Sequence, residues 1–471
     1  MATGSDGNAR VDSGEVQPNY RSMMATDRSN RASNGRDPAV AALLSFVWPG
    51  LGQAYRGVPR RAAMFALPPL AAVVVVVALV ALLGGPVFVA YLVAPQWAAL
   101  ATLLIIAAAL WWAWAILDAG RPQSRASLVA SIALLSLVIL GAGYAGSVVW
   151  SLYQAGVTIS QPIHGPTPTP DPSASASPSP SPTHSAPPLN TSGRVTILFL
   201  GRDAGSGGRQ LTDTIQVASF DARSGEIVMI SVPRDTGQLP LYNGGTWNDK
   251  INALMAYADK HPDEFPDGGI GTLKRQIEYI IGIPIDYYAT VDFGGFERLV
   301  DMVGGVDVVL ERAIRDRTYS SSPTEQGFFM EPGEHHLEGA TALKYVRSRH
   351  GPGNSDFQRA RRQQQVLLAL RHKIDDPSVL ANLPSIVGAA AQMVRTDVPL
   401  DRLPDIVALL QKSTAAGSDT YVLQPRAYAE VIPRSEIGNI YMTRLKMDAV
   451  AELSIRLFGD ESRYAPLDPE S

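Results

Sequence analysis

Three long apolar runs dominate the first third of the chain, at residues 62–83, 97–117 and 128–150. Each run is about 20 residues long, which is enough for a helix to cross roughly 30 Å of hydrocarbon. Soluble core helices are seldom so apolar for so long, so the pattern predicts three transmembrane helices. A shorter apolar run, residues 39–47, cannot span a bilayer as a helix. We interpret it as a re-entrant or interfacial hairpin.

The placement of lysine and arginine orients these helices, because cytoplasmic loops carry the excess of positive charge. Basic residues precede the first run and lie between the second and third: Arg31, Arg36, Arg56, Arg60, Arg61, Arg121 and Arg125. The loop from residue 84 to 96 has neither Lys nor Arg. The pattern therefore predicts a multi-pass cell-membrane protein with a cytoplasmic N terminus. Three crossings place everything after Trp150 outside the membrane.

Two segments lack hydrophobic periodicity. Residues 1–37 are polar and predict a disordered cytoplasmic tail before the membrane region, residues 38–151. Residues 152–190 form an extracytoplasmic linker rich in Pro and Ser, which favours an extended, polyproline-like state. Its Pro-rich part would reach roughly 90 Å when stretched. Such a linker is either a tether that lets a domain search a cell-wall layer or a plain spacer.

From Arg194 onward, short strand and helix patterns are mixed. VTILFLG, TIQVASFD and GEIVMISV predict buried strands, and amphipathic helix patterns follow on either side of DYYATVDF. An early β-hairpin followed by alternating strands and helices predicts an α/β fold, a three-layer αβα sandwich with a mixed central sheet. We expect this domain to cover residues 191–375. Residues 376–471 predict a helical extension packed on it, with one strand-like segment, DTYVLQP.

Composition excludes several kinds of chemistry. The net charge of −4 argues against a general nucleic-acid-binding protein. The absence of cysteine excludes disulfides, a thiol nucleophile and cysteine-ligated metal sites. The sequence also lacks a phosphate-binding P-loop, a G-x-S-x-G nucleophile elbow and a recognisable Ser/His/Asp set.

An arginine-rich stretch, residues 344–373, carries the strongest chemical signal. Its second half predicts a helix on which Asp356, Arg359 and Gln363 fall within about 60° of each other. The apolar stripe that begins at Val366 continues the same face. An unpaired buried charge is too costly to keep, so a charged start to a core-facing stripe favours a cleft that binds an anion. The alternative is a solvated basic helix.

Further charged clusters lie at predicted strand ends, where α/β folds build their sites. They are Asp203 after the first strand, Asp213 before the second, Arg234 and Asp235 after the third, and Arg347 and Arg349, which share a face if residues 345–349 are extended. Arginine forks match phosphate oxygens, and paired carboxylates suit Mg²⁺ that is shared with phosphates. Each residue alone fits a turn, cap or ion-pair role, but the combination favours pyrophosphate chemistry.

Other candidates are weaker. Lys250 and Asn252 could line the cleft, or Asp249 could simply cap a helix. His335 and His336 could bind a metal, but they sit among turn residues without a third ligand at useful spacing. We interpret the two histidines as loop residues.

These pieces, in this order and spacing, resemble the LytR-CpsA-Psr family of bacterial envelope proteins. The matching motifs span about residues 195 to 373 and are ILFLGRD, LTDTIQVAS, ISVPRDT, DKINA, IDYYATVDFGGFERLVDMVGGVDV, PGEHHLEGATALKYVRSRH and DFQRARRQQQV. The resemblance implies an extracytoplasmic phosphotransferase. Such an enzyme moves a glycopolymer from a polyprenyl-pyrophosphate carrier to peptidoglycan through a phosphodiester, and members often bury the lipid tail in an apolar groove.

The same resemblance implies roles for individual residues. Asp203 and Asp213 would hold Mg²⁺, with Mn²⁺ as an alternative. The pyrophosphate would bind Arg234, Arg347, Arg349 and Arg359, with Gln363 and Lys250 beside them. Arg234, Asp235 and Asp356 would be catalytic, and either aspartate could assist the acceptor hydroxyl. The implied partners are the lipid-linked glycan, peptidoglycan and the membrane, with no nucleic acid.

Two features depart from the family pattern. Leu211 stands where the family often has arginine, although Arg209 lies close. The family also usually has one membrane span rather than three. Leu211 favours an alternative function, a non-catalytic sensor or regulator that binds polyprenyl pyrophosphate. A third function is a polyprenyl-pyrophosphate phosphatase, in which water replaces the sugar acceptor.

Overall fold

The computed structural model describes residues 37–121, 125–160, 193–202, 211–320, 327–373, 376, 378–379 and 382–465. The predicted tail, the Pro-rich part of the predicted linker, Asp203 and Arg209 lie outside these residues.

The first part of the chain is helical. Its helices are α1 (Pro38–Val47), α2 (Leu51–Tyr55), α3 (Pro59–Leu83), α4 (Gly85–Val93), α5 (Pro95–Gly120) and α6 (Arg125–Ile159). Among the described residues, α3, α5 and α6 are long and apolar enough to cross a membrane. Their apolar side chains are largely exposed, as the surface of a helix that contacts lipid must be.

The short run at residues 39–47 forms α1, which turns back through Gly50 into α2 as a hairpin. The Gln53 side chain accepts from Ser45 Oγ at 3.0 Å and donates to the Ala115 carbonyl in α5 at 2.9 Å. The hairpin is therefore fastened to the end of α5 by buried polar contacts.

Helix α6 extends beyond the predicted end of the third run. It continues to Ile159, inside the segment predicted as linker. Leu152 and Ala155 are buried, so packing supports these last turns in spite of the polar sequence that follows them.

The globular domain is built on a mixed sheet of six strands among the described residues, in the order β11-β6-β1-β2-β3-β12. These strands are β1 (Arg194–Arg202), β2 (Thr212–Asp221), β3 (Ile227–Ser231), β6 (Tyr287–Asp292), β11 (Val394–Thr396) and β12 (Ser418–Val422). The predicted hairpin joins β2 to β3, and Gly225 supplies its positive φ of 80°. β6 and β12 run parallel to their inner neighbours, so the predicted mixed sheet is confirmed.

The remaining elements complete the layers. They are β4 (Leu239–Pro240), β5 (Thr246–Trp247), α7 (Ile251–Ala258), α8 (Gly268–Ile281), α9 (Phe293–Met302), β7 (Val306–Leu310), β8 (Ile314–Asp316), β9 (Phe328–Met330), β10 (Gly333–Leu337), α10 (Gly339–Arg347), α11 (Asp356–His372), α12 (Leu383–Met393), α13 (Leu403–Thr414), β13 (Ala429–Val431), α14 (Arg434–Ile437), β14 (Thr443–Leu445) and α15 (Met447–Phe458).

Alternate side chains of the central strands enter two different cores. Leu198 and Leu200 of β1 pack with α7, α8 and α15, whereas Val195 and Ile197 pack with α11 and α13. This alternation follows from the two-residue repeat of a strand. Helices thus cover both faces of the sheet, and the three-layer αβα sandwich is confirmed.

The C-terminal region differs from the expected helical extension. Residues after 376 supply β11 and β12, the two outer strands of the main sheet. They also supply α13 and α15, one to each helical layer. The region is therefore part of the sandwich, to which it contributes strands as well as helices.

A smaller core holds the arginine-rich stretch. The β7–β10 and β8–β9 ribbons pack with α9, α10 and α11 around Val306, Leu337 and Tyr345. This core fixes the end of α10 and the start of α11 beside the edge of the main sheet.

Candidate active site

A cavity of about 620 Å³ lies where β1 and β6 end and β2 begins. Strand ends of an α/β sheet are where such folds place ligand sites. The predicted site residues that line the cavity are Asp213, Arg234, Arg347, Arg349, Arg359 and Gln363. Residues that are separated by up to 150 positions in the sequence therefore surround one space.

The wall at the sheet edge is a chain of charges. Arg234 Nη1 lies 2.6 Å from Asp213 Oδ1, and its Nε lies 3.8 Å from Asp235 Oδ2. The other oxygen of Asp235 is 2.5 Å from Lys250 Nζ. Asp213 is the second residue of β2 rather than the residue before it. Cations and carboxylates thus alternate along this chain, of which Asp213 and Arg234 line the cavity, whereas Asp235 and Lys250 do not.

Burial perturbs the protonation of this wall. Asp235 is 6% exposed, and burial raises its pKa although Lys250 and Arg234 act in the opposite direction. Burial alone would lower the pKa of Arg234. The charge and the hydrogen bond of Asp213 have the larger effect, so the pKa of Arg234 is raised overall. Arg234 is therefore a permanent cation, and Asp235 holds a proton more readily than an ordinary aspartate.

The opposite wall comes from α11. Ser355 caps this helix by accepting the Gln358 N–H, and Asp356 is its first residue. Arg359 Nη2 lies 3.0 Å from Asp356 Oδ1. Arg359 and Gln363 both reach the cavity, as the helical repeat predicts, whereas Arg361 is exposed and does not line it.

Arg359 has unused hydrogen-bonding capacity. Arg359 is 6% exposed, and its Nε is buried without a hydrogen-bond partner among the described residues. Burial lowers the pKa of Arg359 even with Asp356 beside it. A buried donor without a partner is costly, so an anionic ligand in the cavity would complete this site.

Arg347 and Arg349 reach the cavity in a different way from the one predicted. Residues 345–349 are not extended, because α10 continues to Arg347 and the chain turns at Ser348. The Arg347 guanidinium lies 4.4 Å from the centre of the Phe293 ring, a cation–π contact at the start of α9. The helix end, rather than an extended strand, brings both arginines to one wall.

Asp316, which no sequence motif marked as a site residue, fixes this turn. Its Oδ2 accepts from Ser348 Oγ at 2.9 Å and from the backbone N–H groups of Arg349 and His350 at 3.1 and 3.0 Å. Asp316 is 1% exposed and lines the cavity. Burial raises its pKa, but these hydrogen bonds and those from Thr318 outweigh it and hold the pKa below the usual range. The only sequence signal was an aspartate two residues before Thr318, a pattern typical of an Asx turn.

Arg362 is a structural member of the arginine-rich stretch. It donates to the Tyr345 and Ser348 carbonyls at the end of α10 and to Asn354 Oδ1. Burial lowers its pKa to about 10. Arg362 therefore joins α10 to α11 and does not line the cavity.

The weaker candidates take other places. Lys250 occupies the N-cap position of α7 without a side-chain capping bond and pairs with Asp235. Lys250 and Asn252 do not line the cavity, and the Asp249 carboxylate accepts the Lys250 N–H, so neither alternative for this motif is found. His335 and His336 lie in β10, so the predicted loop is wrong, and His336 Nδ1 is 2.7 Å from Asp307. Within the described part of the chain, no three His, Cys, Asp or Glu residues form a metal-binding group.

Apolar side chains cover the floor of the cavity. Phe199, Ala289 and Leu367 lie between the sheet and α11, with Leu370 and Val394 beyond them. Leu211 also lines the cavity, where the family often has arginine. A charged mouth above an apolar floor suits a ligand with an anionic head and a hydrocarbon tail.

Known proteins share this sequence pattern. The LytR_cpsA_psr family model matches residues 147–454. The regulatory protein MsrR of Staphylococcus aureus strain COL is 33% identical over 215 residues, which is 45% of this chain and 59% of MsrR. The polyisoprenyl-teichoic acid–peptidoglycan teichoic acid transferase TagV of Bacillus subtilis strain 168 is 32% identical over 219 residues, 46% of this chain and 52% of TagV. This chain thus spans little more than half the length of these relatives.

A solved structure was also found. The crystal structure of B. subtilis TagV superposes with a TM-score of 0.46 at 26% identity, over 58% of this chain and 99% of that one. The family assignment rests on the sequence match, which covers more than half of this chain. The protein belongs to the LytR_cpsA_psr family.

Proposed function

We propose that this protein is a membrane-anchored phosphotransferase. It would move a glycopolymer from a polyprenyl-pyrophosphate carrier to peptidoglycan on the outer side of the cell membrane. The observation that carries the proposal is the convergence of Arg234, Arg347, Arg349 and Arg359 on one cavity that is otherwise lined largely by apolar side chains. The name of TagV supplies the reaction class, since that relative transfers a polyisoprenyl-linked polymer to peptidoglycan.

The arginines would bind the two phosphates of the carrier. A guanidinium offers a planar fork of donors that matches phosphate oxygens and keeps its charge. Arg359 approaches from α11 with a buried Nε that has no partner among the described residues, and Arg234 approaches from the sheet edge. The apolar floor would hold the first part of the polyprenyl chain, which places the scissile phosphate among the cations.

Mg²⁺ fits the donor chemistry of this site, with Mn²⁺ as an alternative. Mg²⁺ is commonly held by one or two carboxylates together with substrate phosphates. Asp213 provides one carboxylate at the cavity wall, and Asp203 is the second proposed ligand. When bound, the ion would neutralise charge on the phosphate oxygens. Asp213 is paired with Arg234 at 2.6 Å, so the arginine and the metal would share this carboxylate.

The transfer step can be written with the residues of this chain. The acceptor hydroxyl oxygen attacks the phosphorus next to the sugar, and the bond from that phosphorus to the bridging oxygen breaks. Polyprenyl monophosphate leaves, and the hydroxyl proton passes to a carboxylate. Asp235 is the candidate base because burial raises its pKa, although Lys250 and Arg234 lie beside it. The arginines stabilise the charge that develops on the transferred and leaving oxygens.

The membrane arrangement belongs to the same proposal. Helices α3, α5 and α6 would cross the bilayer, with the N terminus in the cytoplasm and the globular domain outside. The lysine and arginine distribution supports this orientation. A carrier lipid in the outer leaflet would then lie on the same side as the cavity.

The test is a transfer assay on the full-length protein in lipid nanodiscs with Mg²⁺. The substrates are a short-chain polyprenyl-pyrophosphate saccharide and peptidoglycan fragments, and the measurement is release of polyprenyl monophosphate with and without acceptor. Release that requires the acceptor, with saccharide joined to the glycan, supports the transferase. Equal release without acceptor would identify a phosphatase instead.

One observation favours a second candidate function. Leu211 places an apolar side chain in the cavity wall where the family often has a cation. With one phosphate contact fewer, the site could bind the carrier without turning it over, as a sensor would. Tight binding without release in the same assay, followed by activity in Leu211→Arg, would establish that function.

A further inference from the structure

The segment between α3 and α5 is not a simple extracytoplasmic loop. It forms the nine-residue helix α4, with the sequence GPVFVAYLV and no charged residue. Val87, Ala90, Val93 and Ala94 are buried. A short apolar helix outside the hydrocarbon needs a surface to cover it, because exposed apolar area is unfavourable in water.

The globular domain provides that surface. Helix α4 packs on α13, and it also contacts α12. At Gly84, just before α4, an added Cβ would lie only 3.1 Å from the Gln411 side-chain amide of α13. The positive φ of 81° at Gly84 allows the chain to leave α3 in the direction of α13.

The last turns of α6 join the same contact. A Cβ added at Gly156 would lie 2.1 Å from Val93 Cγ1 and 2.9 Å from Leu400 Cδ2, so only glycine permits this approach. Four residues later, Ser160 Oγ donates to the Val398 carbonyl at 2.9 Å. Helix α4, the end of α6 and the segment that leads into α13 therefore meet around one small core.

This contact changes the interpretation of the linker. Ser160 is held to Val398, and Val398 packs in the same core as Val195 at the start of β1. The residues on both sides of segment 161–192 are thus attached to the globular domain. A domain that searched the cell wall on a stretched tether would have to break this core.

The charge pattern supports the contact independently. A contact between α4 and the domain requires both to lie on the same side of the membrane. The loop at residues 84–96 contains no Lys or Arg, which places it outside, and three crossings place the domain outside as well. Two unrelated observations, packing and charge, therefore agree.

We propose that α4 and the last turns of α6 form a docking platform that holds the globular domain against the outer face of the membrane. The platform contacts the domain through α13 and residues 398–400. Val394, four residues before Val398, lines the cavity. The docked domain would therefore receive the carrier lipid directly from the bilayer, and this consequence alone rests on the proposed transferase function.

The platform can be tested without any substrate. The full chain in membranes would carry p-benzoylphenylalanine in place of Gln411, and a protease site within residues 161–192 would allow cleavage after illumination. Crosslinking should keep the membrane fragment and the domain fragment in one band. Lys260 at the end of α7 is the control position, because it is exposed in the opposite helical layer. No crosslink at position 411, or equal yields at both positions, would overturn the platform.

A second variant shows whether the apolar contact itself holds the domain. Val87→Asp places a charge in the buried face of α4 and should reduce the crosslink yield at position 411 at least fivefold. Asp405→Asn in α13 is the control, because it leaves the buried faces unchanged and should not reduce the yield. An unchanged yield in Val87→Asp would contradict the proposal. Transfer assays on the same variant separate the two ideas. A protein that crosslinks at position 411 but transfers no saccharide would contradict the transferase proposal without contradicting the docking platform.

Discussion

The guanidinium of Arg234 lies 2.6 Å from the carboxylate of Asp213, so a proposed phosphate ligand and a proposed metal ligand are bound to each other. The pair is largely buried at the sheet edge, where ion pairs are less screened than at the surface. Removal of either partner would leave an uncompensated charge in the cavity. In the proposed mechanism, the pair would therefore couple metal binding to phosphate binding.

This coupling predicts the behaviour of Asp213→Asn. The substitution weakens the proposed Mg²⁺ site and releases Arg234, so we expect transfer to fall about a hundredfold, a cost of roughly 3 kcal/mol. The Mg²⁺ concentration for half-maximal rate should rise in parallel. The measurement is the transfer rate against Mg²⁺ concentration, with Asp419→Asn, an exposed position on β12, as the control. An unchanged Mg²⁺ dependence would remove Asp213 from the metal site.

The arginine-rich stretch offers a matched pair of variants. Arg347→Ala removes a cation that lines the cavity, and we expect a loss of about a hundredfold or more in transfer rate, since one donor to a developing charge contributes roughly 3 kcal/mol. Arg361→Ala removes an exposed arginine on α11 that does not line the cavity, and its rate should stay within about twofold of the unsubstituted protein. Similar losses in both variants would mean that the stretch acts through its overall charge and not through the cavity.

Asp316 should act on both stability and substrate binding. In Asp316→Asn, an NH2 donor replaces the carboxylate oxygen that accepts from the N–H groups of Arg349 and His350. We therefore expect a loss of about 2–3 kcal/mol in the free energy of unfolding. Because Arg347 and Arg349, two proposed phosphate ligands, flank this turn, KM for the lipid-linked substrate should rise as well. Thermal unfolding and KM are the measurements. Asp263→Asn, at an exposed aspartate between α7 and α8, is the control and should change neither. A destabilised variant with normal KM would restrict Asp316 to a structural role.

Asp235 predicts a pH dependence of transfer. Burial raises its pKa, so its base form is lost on the acid side at a pH above the ordinary aspartate value of about 4. The transfer rate should fall as pH drops through that raised pKa, and Asp235→Asn should lack this acid limb. The stability contribution has the opposite sense, because a raised pKa in the folded state favours folding at low pH and loses that effect as pH rises. A rate profile with the same acid limb in Asp235→Asn would exclude this residue as the base.

Local sequence patterns predicted the parts of the site that depend on one element. The spacing of Arg359 and Gln363 on a single helix was enough to place both on one face, and strand patterns located the hairpin and the sheet edge. Strand β2 begins two residues earlier than predicted, at Thr212, because the ends of strands depend on pairing with a neighbour rather than on local preference.

Features that depend on distant contacts could not be predicted in the same way. Asp316 meets the turn at Ser348 across 32 residues, and the small core that brings them together has no signature in either segment. The outer strand β11 is short, and pairing with β6 makes it a strand, whereas β12 lies where the strand-like DTYVLQP pattern predicted it. The helical course of α10 through Arg347 likewise depends on Arg362, which binds the carbonyls at its end.

The most direct test of the account is a comparison of binding affinities at Arg359. The full-length protein would be titrated with a short-chain polyprenyl pyrophosphate and with the corresponding polyprenol, which lacks phosphates. We predict that the pyrophosphate binds at least a hundredfold more tightly, and that Arg359→Ala reduces this advantage at least tenfold while the Kd of the polyprenol changes little. Equal preference for the pyrophosphate in the unsubstituted protein and in Arg359→Ala would contradict the assignment of this cavity as the carrier site.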